Sequence, residues 1–228
     1  DPSTGSVEID RFKNATINDL GTARTGGKGD QVKNTGKVTI NVDTDKEIVE
    51  EIAKKDIKLY GITGIAEKRK ANHIKRMIAY LDTQFFTKAE AEGTEITPTA
   101  NAKTIAEKLE ELIVSVETTV NDWVDGVDRD MLVVTVTPTV YSQLLNYIDS
   151  VPNSVTGLTD EYFHKVRIYS NHRQTKSMIC MIDGAVGQLV TTDEYDAEKI
   201  PLSNDIALEL FFSKGTKAVM PDLIKFVA

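Results

Sequence analysis

Cysteine occurs once in 228 residues, at Cys180, so no intrachain disulfide framework can hold this chain together. The CMI run around it reads as a buried strand in which the thiol is a small core hydrophobe. Histidine is nearly as scarce. His73, His164 and His172 show no HExxH spacing, and no GxSxG elbow offers a nucleophile beside them. They read as one helix-surface and two strand-edge histidines. Positive charge is also short: 27 Lys and Arg against 35 Asp and Glu leave a net charge of -8, with a pI near 5.0. That balance excludes binding of nucleic acid or anionic membrane through the whole surface, though it allows local basic patches. No apolar run approaches the ~20 residues of a membrane span, and no signal peptide opens the chain. The expectation is a protein made in the cytoplasm that does not enter a membrane.

What is present is ordinary globular composition, 40% hydrophobic and 27% charged, in a chain long enough for one domain or two interleaved ones. VEI at residues 7–9 and KVTINV at 37–42 alternate apolar with polar, as half-buried strands do, and form the two roots of one long hairpin. Between them, Ala15, Ile17, Leu20, Ala23 and Val32 are too few to build a core. Arms of about 15 residues at ~3.3 Å each would project about 50 Å. A lone ribbon of that length is marginal in water, so it must lie on the rest of the chain or on a neighbouring copy.

After the ribbon, TDKE at 44–47 predicts a capping box with Thr44 as N-cap and Glu47 three residues on, opening a short helix to about Ile57. Ile65, Ile74, Met77, Ile78, Leu81 and Phe85 predict a long amphipathic helix over 65–86, of about 33 Å, punctuated by Gly93 and Pro98. Ile105, Leu109, Leu112, Ile113, Val116 and Val120 share one face of a further helix. MLVVTV at 131–136 reads as a buried strand, and TPTVYSQLLNYI as a helix with Thr137 as N-cap and Pro138 first. Strands resume at HKVRIYS, SMICMI, GQLVTT, IALELFF and TKAVMP. Hairpin, helices, strand, helix, strands is an α+β order, not a repeating βαβ wind.

GTARTGGKGD, residues 21–30, has the glycine and lysine content of a phosphate loop but not its register. Lys28 is followed by Gly29 where Ser or Thr should stand, and the flanks are not a buried strand and a helix. The stretch reads as the tip of the hairpin. Asp122, Asp125, Asp128 and Asp130 in DWVDGVDRD lack the alternation of a calcium loop, because Trp123 takes a ligand position, and read as a solvated turn. Lys68, Arg69, Lys75 and Arg76 come together along one flank of the long helix at seven- and eight-residue spacing. They form a solvated face, an ion-pair row between subunits, or a contact for packaged nucleic acid. No constellation carries catalytic chemistry or holds a cofactor or metal.

The element order resembles the major capsid proteins of tailed bacteriophages, whose fold, first seen in a Hong Kong coliphage, is shared with encapsulin nanocompartments. SVEIDRF and GKVTINVD resemble the roots of that family's extended loop, with GTARTGGKGD at its tip. ITGIAEKRKANHIKRMIAYLDTQFF is similar to its spine helix. TIAEKLEELIVSVETTVNDW with MLVVTVTPTVYSQLLNYI is similar to its axial domain, and ALELFFSKGTKAVMPDLIKFV to its closing strands.

The resemblance implies a phage major-capsid-like fold with an extended β-hairpin loop, a long spine helix, a peripheral domain and an axial domain. It divides the chain into an extended loop at 1–43, a peripheral domain with the spine helix at 44–98, an axial domain at 99–195 and return strands to the peripheral domain at 196–228. It implies a non-enzymatic shell protein that self-assembles through pentamers and hexamers into an icosahedral head round double-stranded DNA. Scaffold, portal and decoration proteins are the further partners, and the place of action is the virion, assembled in host cytoplasm. Arg24, Gly26, Gly27, Lys28, Gly29 and Asp30 would form an assembly interface at the loop tip. Gly26, Gly27 and Gly29 permit φ > 0 there, which suits a loop adapting to non-equivalent neighbours. Alternatives are an encapsulin-like compartment with a protein cargo and, from another class, an α+β enzyme whose site has no recognised motif.

Overall fold

The computed structural model describes residues 5–20, 36–60, 62–150, 162–193, 195–201, 203 and 205–228. In chain order the elements are β1 (Ser6–Ile9), β2 (Val38–Asn41), β3 (Thr44–Ile52), α1 (Lys54–Tyr60), α2 (Ile62–Glu92), β4 (Thr94–Glu95), α3 (Ile105–Glu117) and β5 (Leu132–Val136). They continue with α4 (Pro138–Ser150), β6 (Tyr162–Phe163), β7 (Val166–Ser170), β8 (Met178–Ile182), β9 (Val186–Thr192), β10 (Asp196–Lys199), β11 (Ile206–Ala218) and β12 (Ile224–Val227). β1 pairs with β2, as the alternating hairpin roots require. Two compact units result. Unit 1 gathers Asp1–Val7, Ile40–Phe86 and Gly187–Lys217, and unit 2 gathers Glu8–Thr39, Thr87–Val186 and Ala218–Ala228.

In unit 1, β11 is the centre of an antiparallel sheet, flanked by β3 and β10 and also paired with β9. Here the structure corrects the helix predicted from Thr44 to about Ile57. Residues 44–52 are strand β3, and helix begins only at Lys54. TDKE has the local chemistry of a cap, but Ile48, Glu50 and Ile52 alternate with exposed residues, and the segment pairs with β11 from Thr44↔Lys214 to Ile52↔Ile206. Nine cross-strand positions outweigh one cap, because helix propensity is a weak prior against tertiary pairing. Gly215 permits the close approach of β11 to residues 41–42, since a Cβ there would lie 1.8 Å from the Asn41 carbonyl oxygen.

α2 packs on the inner face of this sheet. Tyr80 meets Phe212 edge-on with centroids 6.0 Å apart, Gln188 donates to the Leu81 carbonyl, and Leu81, Leu208, Leu210 and Phe212 are buried. The helix runs through residues 62–92, beyond the predicted 65–86, and its ~46 Å follows from 1.5 Å per residue. It stops at Gly93, as predicted. A Cβ at Gly93 would meet the Ala89 carbonyl and Ile224 Cγ2, each at 2.7 Å, so only glycine fits.

Unit 2 is built on a six-stranded mixed sheet of order β4-β12-β8-β5-β7-β6, in which β5–β7 and β12–β4 are parallel. MLVVTV forms the buried β5 at its centre, and the apolar faces of α3 and α4 close its core. The reciprocal capping box is found at α3. Thr104 accepts from the Glu107 backbone N–H at 3.2 Å, and the Glu107 carboxylate accepts from the Thr104 N–H at 2.7 Å. Cys180 is fully buried in β8, and burial pushes its thiol pKa up to about 12. Residues 196–228, expected to return together, divide: β10 pairs with β11 and β11 with β3, whereas β12 pairs with β8 and β4.

Candidate functional site

Residues Arg24, Gly26, Gly27, Lys28, Gly29 and Asp30 of the loop tip lie outside the described residues, but the root of the ribbon is fixed by chemistry the sequence did not announce. Arg11 makes a bidentate pair with Asp222 at 2.9 and 3.0 Å, and Asn121 donates to the same carboxylate at 2.9 Å. Burial alone would raise the Asp222 pKa, but these donors outweigh it and hold the carboxyl below its ordinary range. Lys13 pairs with Asp122, and the Asn14 N–H donates to the Asp122 carbonyl at 2.8 Å. Arg11 and Lys13 both stand 5.4 Å from the Trp123 ring. Up to residue 14 the ribbon therefore lies on the 121–124 turn of its own unit. Beyond that clamp, Ile17 and Leu20 are 99% and 95% exposed.

The DWVDGVDRD turn is thus an anchoring turn. Asp122 takes a lysine, Asp125 bridges to Val120, and Gly126 has φ +79°. Among the described residues no group of His, Cys, Asp and Glu is arranged to hold a metal. A surface groove of about 670 Å³ runs along α3, but the carboxylates on its rim are already engaged. Glu107 serves the capping box, Glu111 holds the Thr99 backbone and hydroxyl, and Glu110 takes Arg129.

The predicted basic flank of α2 divides. Arg69 makes a bidentate pair with Glu50 of β3, which holds the Glu50 carboxyl below its usual range. Lys68, Lys75 and Arg76 are exposed, with no ion pair among the described residues. His73, expected on the helix surface, is 1% exposed: its Nδ1 lies 3.1 Å from the Tyr195 hydroxyl and its Nε2 2.8 Å from a Glu50 oxygen. The Nε2 approach lies off the hydrogen-bonding direction, so this buried nitrogen has no hydrogen-bond partner among the described residues. The surface expectation failed because the helix face at His73 also carries Met77 and Tyr80, and the sheet covers all three. His164 and His172 were expected at strand edges. His164 instead turns the chain between β6 and β7 with φ 46°, followed by Lys165 at φ 76°, and His172 lies in the loop after β7.

Unit 1 presents two outer faces. On the sheet, Asp45, Glu47, Val49 and Glu51 of β3 point away from α2, with Glu209 opposite Val49 and Phe211 opposite Glu47. Val49 and Phe211 are partly exposed there, at 49% and 37%. On the helix, the side away from the sheet carries Lys68, Ala71, Lys75 and Ile78. The sequence signalled the second face by its i, i+7 cations. The first needed the β3–β11 register, which sets its carboxylates and apolar residues side by side.

No family model matches the chain, and no curated protein does. Solved structures do. A chain of Mycobacterium phage Che8 aligns with a TM-score of 0.71 at 15% identity, covering 98% of this chain and 84% of that one. The capsid of cyanophage P-SCSP1u aligns with a TM-score of 0.72 at 13% identity, covering 98% and 83%. A virus-like particle from Pyrococcus furiosus aligns with a TM-score of 0.61 at 9% identity, covering 98% and 86%. The chain has the α+β fold of phage capsid structures, the Hong Kong phage capsid fold, over nearly its whole length.

Proposed function

We propose that this protein is a major capsid protein, a structural subunit that self-assembles into an icosahedral phage head round double-stranded DNA. The observation that carries the reading is a capsid fold matched over 98% of the chain, with more than four-fifths of the cyanophage capsid chain covered in return. Pentamers and hexamers of one chain would make the shell, with scaffold, portal and decoration proteins joining it in the host cytoplasm. The ribbon within 1–43 acts as the extended loop and reaches a neighbour through Arg24, Gly26, Gly27, Lys28, Gly29 and Asp30. Residues 44–98 serve as the peripheral part with its spine helix, 99–195 as the axial part, and 196–217 as the return, with β12 left to the axial sheet. Exposed Ile17 and Leu20 support a ribbon completed by another subunit, since two large apolar side chains in water gain by burial. The subunit works through its interfaces and catalyses nothing.

Electron microscopy and light scattering of the purified protein test this, and closed shells or capsomer-sized rings are expected. Only monomer across a range of salt and concentration would overturn the reading and reopen the enzyme alternative. The rival reading is a compartment with protein cargo, which the capsid likenesses do not favour. The contents decide it: nuclease-protected DNA for a head, a co-purifying protein for a compartment.

A further inference from the structure

Charge in this acidic protein is segregated. Residues 54–76 hold eight of its 27 Lys and Arg and only two of its 35 Asp and Glu. Of these eight cations, Lys55, Lys58, Lys68, Lys75 and Arg76 are exposed, with no ion pair among the described residues. Lys68, Asn72, Lys75 and Arg76 lie within one stripe of α2, since steps of four, seven and eight residues return to the same side of a helix. Between residues 64 and 79 every polar group in that stripe is a donor or a cation, apart from the amide oxygen of Asn72, and Asp82 is the first carboxylate to continue the line of Lys68 and Lys75. The opposite outer face of the same unit is acidic: Asp45, Glu47, Glu51, Glu198 and Glu209 occupy the outward positions of β3, β10 and β11, with no Lys or Arg among them.

We infer that the α1–α2 face of unit 1 lines the inside of the shell and contacts the phosphate backbone of duplex DNA through Lys55, Lys58, Lys68, Lys75 and Arg76, while the acidic sheet face looks outward. The inference rests on the shell reading. The inference places the helix and sheet layers of unit 1 parallel to the wall of a shell one subunit thick, so that the basic face of one copy does not stack on the acidic face of the next. A polyanion inside is then the partner that these unpaired cations fit. Contact of this kind has no base-specific groups, releases counterions, and weakens steeply with salt.

The test has two arms. In the first, dissociated subunits are titrated against a fluorescent 30-base-pair duplex between 50 and 200 mM salt, using wild type and the triple variant Lys68→Gln, Lys75→Gln, Arg76→Gln. Each phosphate contact contributes about 0.9 to the slope of log affinity against log salt, so the variant should lose about 3 from that slope. Glu198→Gln with Glu209→Gln should lose nothing. In the second arm, filled and emptied particles are treated with a small acylating reagent, and Lys68 and Lys75 should be modified several-fold more slowly in filled particles. Equal slopes in wild type and triple variant, or equal modification in filled and emptied particles, would overturn the inference. A triple variant that assembles poorly yet keeps its duplex affinity would also overturn it, and would assign the face, with its part-exposed Ile74 and Ile78, to a second copy. If no particle forms under any condition the shell reading fails, and the first arm still decides whether this surface holds DNA.

Discussion

In unit 2 the apolar residues of α3, α4 and five strands form a contiguous buried cluster, and the charged groups stand round its margin, as where Arg129 takes both Glu110 and Glu117. Among the described residues of unit 1, the helix meets the sheet through fewer buried hydrophobics and through polar groups, of which His73 and Lys214 are themselves buried. His73 sits between Glu50 and Tyr195, and Lys214 donates to Gln84 at 3.2 Å. A dry core tolerates small shifts, because dispersion and burial have little direction. A wired contact holds one geometry, because each donor must meet its acceptor. The difference gives one unit a firm body and lets the other keep a long helix in register on its sheet.

The largest expected effect tests the dry core. Leu112→Ala, at a fully buried position of α3, should cost about 2–5 kcal/mol, seen as a fall in the denaturant midpoint of unit 2. A loss well under 1 kcal/mol would mean that this core is loosely packed. Next, Gly215→Ala should destabilise unit 1 by about 3 kcal/mol or more, since its Cβ would press on the backbone at Asn41 and not on a side chain able to move. Unchanged thermal unfolding would show that β11 and residues 41–42 do not approach so closely in solution.

The wiring gives a smaller effect. Glu50→Gln removes the charge shared by Arg69 and His73 and should cost on the order of 1–2 kcal/mol, with unit 2 unaffected. Both clusters should also respond to acid. Arg69 is the largest influence on Glu50 and holds it low, and Asp222 is low despite burial because Arg11 and Asn121 bind it. Depressed carboxyl values in the folded state mean stability that is complete above about pH 4 and lost as pH falls through the folded values. Unfolding midpoints flat from pH 6 to 8 and dropping below about 4 are expected, and Asp222→Asn should flatten part of the drop. The smallest effect belongs to Cys180. Its buried, raised thiol should resist a bulky thiol reagent in native particles, and reducing agent should leave assembly unchanged.

Much of the architecture was legible where the period is long and the burial one-sided. α3, α4, β5 and the hairpin roots follow from apolar spacing, and Gly93 and Pro138 mark helix limits by their own stereochemistry. The errors lay where a local signal and a distant partner disagreed. TDKE carries the letters of a capping box, yet β11 lies some 160 residues away in sequence and claims the segment as a strand. His73 looked solvent-facing because its cover comes from Glu50 and Tyr195, on either side of it in the chain. The cations of α2 were visible as a group, but only the fold shows that Arg69 is spent on Glu50 while Lys68, Lys75 and Arg76 have no ion pair among the described residues.

By itself the sequence determined the class and the inventory: an acidic α+β chain without disulfides or a recognisable catalytic motif, with a ribbon too poor in apolar residues to stand alone and a long helix bearing a basic flank. Those properties depend on composition and on spacings within one turn or one strand, which the chain carries locally. Tertiary structure decided which sheet each late strand joins, that residues 11–14 clamp onto Trp123 and Asp222, and that unit 1 has opposed basic and acidic faces. These depend on register between segments up to two hundred residues apart, and pairing at that range is set by the burial and hydrogen bonding of the whole molecule.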